Sequence, residues 1–276
     1  MNKDMSSKTG ENAAGSPLMP VLFIGHGSPM NAIEENEFVE GWKESVRTVT
    51  KPGAILCISA HWETRGTFVT AMDDPQTIHD FGGFPQKLFE VQYPAPGNPE
   101  LAGETKKIFT KNSVGLDYDW GLDHGCWSVV KRMYPEADIP VVQLSLDYSQ
   151  SARYHYELAG QLSEFRRKGV LIIGSGNMVH NLRLVDWGRM NEPEHGYDWA
   201  LEANEKMKKF IIDDDHKSLI DFRSQGKAFD LAIPTPEHFL PLLYVLALKE
   251  KSEKTEIFND KAVMGSLTMT SVKIGG

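Results

Sequence analysis

Val21-Leu22-Phe23-Ile24-Gly25-His26-Gly27-Ser28-Pro29 decides how this chain is read. A short apolar, partly β-branched run gives way to a histidine set between glycines. Continuous apolar runs of this length suit a strand covered on both faces of a sheet. The design recurs. Residues 54–59 (Ala54-Ile55-Leu56-Cys57-Ile58-Ser59) run into Ala60-His61-Trp62, and residues 170–173 lead through Gly174-Ser175-Gly176-Asn177 towards His180. Residues 141–146 form another buried run. Residues 67–72 are mixed and suit a sheet edge, and residues 266–274 partly alternate and read as a closing strand. Helical spacing of apolar residues fills the intervals 35–48, 99–110, 125–133, 151–168, 199–213 and 239–248. Strands alternating with helices predict an α/β fold, a single domain with a mostly parallel central sheet flanked by helices.

The composition bounds the function. A chain of 276 residues with 41% hydrophobic and 24% charged residues is an ordinary globular protein. Its formal net charge of −9 argues against nucleic acid and anionic membranes as partners. No segment approaches the ~18–20 apolar residues that span a bilayer. Residues 1–17 are polar, lack the apolar centre of a secretory signal, and read as a disordered tail before a domain at 18–276. Cys57 and Cys126 make no disulfide framework, which fits a reducing, cytoplasmic setting. Each reads as a small buried hydrophobe before it reads as a nucleophile or ligand.

Histidines carry the chemical signal. His26 and His61 follow apolar runs, and side chains at strand ends of a twisted sheet converge on one crevice. Imidazole binds borderline transition metals and moves protons near neutral pH. The competing reading of each is a hydrogen-bonded strand cap. His180 follows a Gly-rich stretch that matches neither the dinucleotide fingerprint nor a P-loop. His238 lies in Thr235-Pro236-Glu237-His238, where a helix starts either at Pro236, capped by Thr235, or nearer Phe239. On a helix Glu237 and His238 would point about 100° apart, so one of them would face a site. His124, in Asp123-His124-Gly125, has no strand behind it and suits acid–base or substrate contact. His155, His195 and His216 sit in polar surroundings and read as solvated. The Pro- and Gly-rich segment 73–99 is long for a connection and suits a lid or binding loop. There, His79 and Phe84 are candidate substrate contacts, with Trp62 as a pocket wall. Local zinc signatures, His-x-x-x-His or Cys-x-x-Cys, are absent.

Taken together, Gly25-His26-Gly27-Ser28-Pro29-Met30-Asn31, Ser59-Ala60-His61-Trp62, Thr77-Ile78-His79-Asp80-Phe81-Gly82-Gly83-Phe84-Pro85, Tyr93-Pro94-Ala95-Pro96-Gly97, Asp123-His124-Gly125, Gly176-Asn177-Met178-Val179-His180-Asn181-Leu182-Arg183 and Thr235-Pro236-Glu237-His238 closely resemble the class III extradiol ring-cleaving dioxygenases. They are most similar to the 4,5-DOPA dioxygenase extradiol branch. The resemblance runs in order across nearly the whole chain after the tail. It implies a phosphorylase/hydrolase-like α/β scaffold and one metal held by His26, His61 and His238, with His180 reaching it when the site is empty or holds zinc. It implies Fe(II) for activity, Zn(II) in the isolated protein, and a catechol and O2 as substrates. His180 would be the acid–base group and His124 would stabilise oxygen or substrate. A histidine where non-haem iron sites commonly carry a carboxylate leaves the centre more positive, which favours a deprotonated catechol. A monomer or small homo-oligomer is expected. The alternative is a zinc-dependent hydrolase on a similar scaffold, using a metal-bound hydroxide. Zinc stimulation without oxygen uptake would mark it.

Overall fold

The computed structural model describes residues 18–110, 113–190, 192 and 194–276. The expected tail at 1–17 lies outside them. An eight-stranded sheet runs in the order β4-β3-β5-β2-β6-β1-β10-β7. Its strands are β1 (Val21–Gly25), β2 (Ala54–Thr64), β3 (Thr67–Thr70), β4 (Val114–Asp117), β5 (Val141–Asp147), β6 (Val170–Gly176), β7 (Thr255–Phe258) and β10 (Ser271–Ile274). A small hairpin pairs β8 (Ala262–Val263) with β9 (Leu267–Thr268). The centre, β5-β2-β6-β1, is parallel throughout. Antiparallel pairs β3–β5 and β1–β10 flank it. This is the α/β architecture read from the apolar runs.

Period-two alternation sends those runs into two cores. Val21, Phe23, Leu56, Ile58, Val142, Leu144 and Ile172 face one core, shared with helices Ala152–Ala159, Asp198–Ile212 and Leu240–Ala247. Leu22, Ile24, Ile55, Cys57, Val141, Leu171 and Ile173 face the other, shared with helices Glu37–Arg47 and His124–Met133. Asn36 caps the first of these, accepting from the amide of Val39 at 3.0 Å. Asp123 caps the second, accepting from the amide of Cys126 at 3.1 Å. No helix among the described residues is long and apolar enough to cross a membrane.

Some expectations change. The 67–72 run is not an edge: β3 is covered by the short β4, whose Gly115 accommodates the ring of Phe68. The closing segment 266–274 divides into β9 and β10, separated by Met269 and Thr270. The helix expected over 151–168 tightens into a 3-10 turn at Gly160–Leu162, where glycine gives the α-helix little support. Strand β2 does not end before His61. It continues to Thr64 through a register shift between Ile58 and Glu63, so His61 occupies the irregular stretch where the ladder to β6 has stopped.

Candidate metal centre

The carboxyl ends of β1, β2 and β6 bring His26, His61, His124, His180 and His238 together. His26 follows β1, and its amide donates to the carbonyl of Gly176 at the end of β6. The amide of Asn177 donates to the carbonyl of His238, and that of His180 to the carbonyl of Ala232. These main-chain bonds join the connection after β6 to the turn before helix Leu240–Ala247. Gly176 lets that turn approach, since a Cβ there would collide with the His238 carbonyl. Ring centroids of His26, His61 and His238 stand 5.0, 5.3 and 4.9 Å apart in pairs. His124 lies 3.8 Å from His61, and His180 stacks on His238 at 3.5 Å and 11°.

Hydrogen bonds fix which nitrogen of His26 and His238 faces inward. The hydroxyl of Ser175 donates to the carbonyl of Gly125 at 2.5 Å, so its oxygen accepts from Nδ1 of His26 at 2.9 Å. Nδ1 of His238 donates to Oε1 of Glu237 at 3.2 Å, an oxygen that also accepts from Thr235. Both rings therefore present a bare Nε2. For His61, Oδ2 of Asp80 stands 3.7 Å from Nδ1, beyond hydrogen-bond reach but close enough to favour a proton there. The Nε2 atoms of His26 and His61 are 3.2 Å apart. Two ligands about 2.1 Å from one tetrahedral ion stand about 3.4 Å apart, so the spacing suits a shared cation.

Electrostatics agree with that use. Burial, reinforced by the neighbouring histidines, holds His26 and His238 well below the usual imidazole value. Burial brings His61 down to about 3, with His124 adding to it and Asp80 opposing. His180 falls to about 4 through burial, opposed by Glu237. Neutral imidazoles are what a metal takes, and acceptors on their outer nitrogens are the usual support for it. Two ligand groups meet the spacing for an ion: His26 with His61 and His124, and His180 with Glu237 and His238. Glu237 had been expected to compete with His238 for the site. Residues 236–239 form a turn, and the helix begins only at Leu240, so Glu237 bonds the outer Nδ1 of His238 while that ring turns Nε2 to the centre.

The 73–99 segment packs against the centre through Asp80 and Phe81. Asp80 accepts from the amide and from Nδ1 of His124, each at 2.8 Å. Burial pushes the Asp80 carboxyl up, but these bonds outweigh it and hold it below the usual range. The Phe81 ring meets His124 edge-on at 5.4 Å, and Phe84 packs on Phe81 at 5.4 Å. His79 turns away from the centre: Nε2 lies 3.0 Å from the carbonyl of Val91, and the ring rests beside Trp127 at 5.6 Å. Trp62 stacks on Trp120 at 5.7 Å and 4°.

Asp80 and Ser175 were missed as functional candidates, although each lies within a stretch quoted above. Their partners are distant in sequence, so only the motif position could have flagged them. The solvated readings also fail, for His195 with its side chain 16% exposed as for the other two. His155 is fully buried, its Nε2 donating to the carbonyl of Asp147 and its Nδ1 accepting from Tyr244. His216 bonds the hydroxyl of Tyr156 at 2.8 Å. Cys57 and Cys126 are free and buried, as small hydrophobes.

Comparison with known proteins places this geometry. The family described as the catalytic LigB subunit of aromatic ring-opening dioxygenase matches residues 17–274. The 4,5-DOPA dioxygenase extradiol of Escherichia coli K12 is 46% identical over 264 residues, covering 94% of this chain and 96% of that protein. The enzyme of the same name from Beta vulgaris is 36% identical, covering 93% and 96%. A crystal structure of an uncharacterized Escherichia coli K12 protein superposes with a TM-score of 0.81 at 42% identity, covering 93% of this chain and all of that one.

Proposed function

This chain belongs to the family of the catalytic LigB subunit of aromatic ring-opening dioxygenases, and from that membership we propose that it cleaves a DOPA-like catechol beside its diol with O2. It is an extradiol dioxygenase, an oxidoreductase. The relatives' dioxygenase names favour this over the zinc-dependent hydrolase. The observation that carries the reading is the convergence of neutral imidazoles, two of them with Nε2 atoms 3.2 Å apart, at the carboxyl ends of parallel strands.

In this reading His26, His61 and His238 hold a mononuclear non-haem metal, with His180 close enough to join them. When bound, Fe(II) supplies coordination of the diol and electron exchange between catechol and O2. Zn(II), which has no redox chemistry, would fill the same donors without supporting turnover.

The chain's own residues do the rest. His180 is neutral at pH 7, and no hydrogen bond to its ring nitrogens is found among the described residues. It takes a catechol hydroxyl proton on a free ring nitrogen and returns it as the ring opens; such acid–base help is commonly worth ~10²–10⁴-fold. His124, with its proton on Nδ1 towards Asp80, turns Nε2 to the centre and positions the substrates. Phe81 offers an aromatic wall to a flat ring. The deep burial of His26 and His238 keeps water from competing for the donors. We place the protein in the cytoplasm, with residues 18–276 as its catalytic domain.

The test is anaerobic loading with Fe(II), then oxygen-electrode and absorbance assays over a panel of catechols. Oxygen consumed mole for mole with a ring-opened semialdehyde is expected. Zinc-stimulated hydrolysis without oxygen uptake would overturn the proposal.

A further inference from the structure

We propose that Asp80 is a positioning residue that sets the proton of His124 on Nδ1, leaving the Nε2 lone pair turned into the centre. The inference rests on the function proposed above. One carboxylate spans both ends of His124: Oδ1 accepts from its main-chain amide and Oδ2 from its Nδ1, each at 2.8 Å. The same Oδ2 stands 3.7 Å from Nδ1 of His61, so its charge favours the matching tautomer there. An imidazole held in one tautomer and orientation by a third group is an arrangement that catalytic sites use elsewhere.

The bland reading is a staple that ties the 73–99 segment to a helix N-terminus. Two observations speak against it as the whole role. The segment has other anchors beside Asp80: Nε1 of Trp127 donates to the carbonyl of Ile78 at 2.8 Å, and the amide of Ile78 donates to the carbonyl of Leu122 at 2.7 Å. Among the described residues, the only ion-pair partners of Asp80 are His124 and His61. A largely buried carboxylate without a lysine or arginine is a costly staple, since a neutral amide would hold the same main-chain N–H.

Asp80→Asn separates the two roles. Its amide oxygen still accepts from the His124 main chain, but its NH2 group now donates towards Nδ1, which must give up its proton to Nε2. The chain is labelled with 15N-histidine, and two-bond proton–nitrogen correlation spectra are recorded on zinc-loaded and metal-free protein. His124 is expected as the Nδ1–H tautomer in the parent and the Nε2–H tautomer in Asp80→Asn. The thermal midpoint should stay near that of the parent. In Fe(II)-loaded enzyme kcat should fall by ~10²–10⁴-fold with KM little changed. Asp80→Ala, which also loses the main-chain bond, should lose stability in addition. A His124 that keeps Nδ1–H in Asp80→Asn, or an unchanged kcat, overturns the proposal. The tautomer readout needs no turnover, so a parent enzyme inert with every catechol would sink the dioxygenase reading and leave this one decided separately.

Discussion

The hydroxyl of Ser175 lies 2.9 Å from Nδ1 of His26 and spends its one proton on the carbonyl of Gly125, so the imidazole must donate and its Nε2 must face the centre. Ser175 sits on β6, beside the end of β1 that carries His26. The bond thus crosses between neighbouring parallel strands and locks the ring by the sheet itself.

Ser175→Ala should therefore weaken metal binding by about 10–100-fold, the usual cost of losing a group that orients a ligand. The Gly125 carbonyl loses its partner as well, which should cost ~1–3 kcal/mol of stability. Competition titration against a chelator, with urea unfolding on the same preparation, would measure both. An unchanged metal affinity would mean that packing alone orients His26.

Replacing His180 by Ala should remove most turnover, ~10²–10⁴-fold, while much of the metal stays bound. His26, His61 and His238 keep their nitrogens, and the His180 ring has a neutral, proton-accepting state at pH 7 because burial lowers it to about 4. Metal content and oxygen uptake should be taken on one sample. Loss of metal in step with activity would make His180 a ligand of equal standing.

The sheet centre and the convergence of histidines were legible because their signals are local. An apolar run followed by a glycine and a histidine states both strand and strand end within a few residues, as at Ile24-Gly25-His26. The groups that orient those rings were not legible. Ser175 is 149 residues from His26, and Asp80 is 44 from His124, so no window along the chain contains either pair. His155 misled for the same reason: its neighbours on the helix are polar, but Tyr244, 89 residues away, gives it a buried partner. The missed strands β4 and β7 are short and only partly buried, with no continuous apolar run to announce them.

Phe81 and His79 should behave differently. Phe81→Ala removes the ring that meets His124, and it should change KM or the ranking among catechols with only modest loss of stability. His79→Ala removes a bond to Val91 and packing on Trp127, and it should lower the unfolding midpoint more than it alters KM. Steady-state kinetics and thermal melts on both variants check this. The reverse pattern would place His79 against the substrate.

Acid should destabilise the fold in part through His155. Burial lowers its pKa to about 4, with the Asp147 carbonyl opposing, while an unfolded histidine titrates near 6.5. The folded ring cannot take a proton easily, because Nδ1 already accepts from the Tyr244 hydroxyl. Between these two values the unfolded chain binds more protons than the folded one. The contribution of His155 is therefore complete above about pH 6.5 and is lost as pH falls towards 4, by about 1.4 kcal/mol per pH unit. His155→Gln cannot titrate, so its stability deficit against the parent should be largest near pH 7 and should narrow steadily towards pH 4. Urea unfolding of both proteins at matched pH values gives that difference directly, and contributions shared by the two cancel. A deficit that stays constant across the window would show that His155 is protonated in the folded protein, or that its burial is relieved before the chain unfolds.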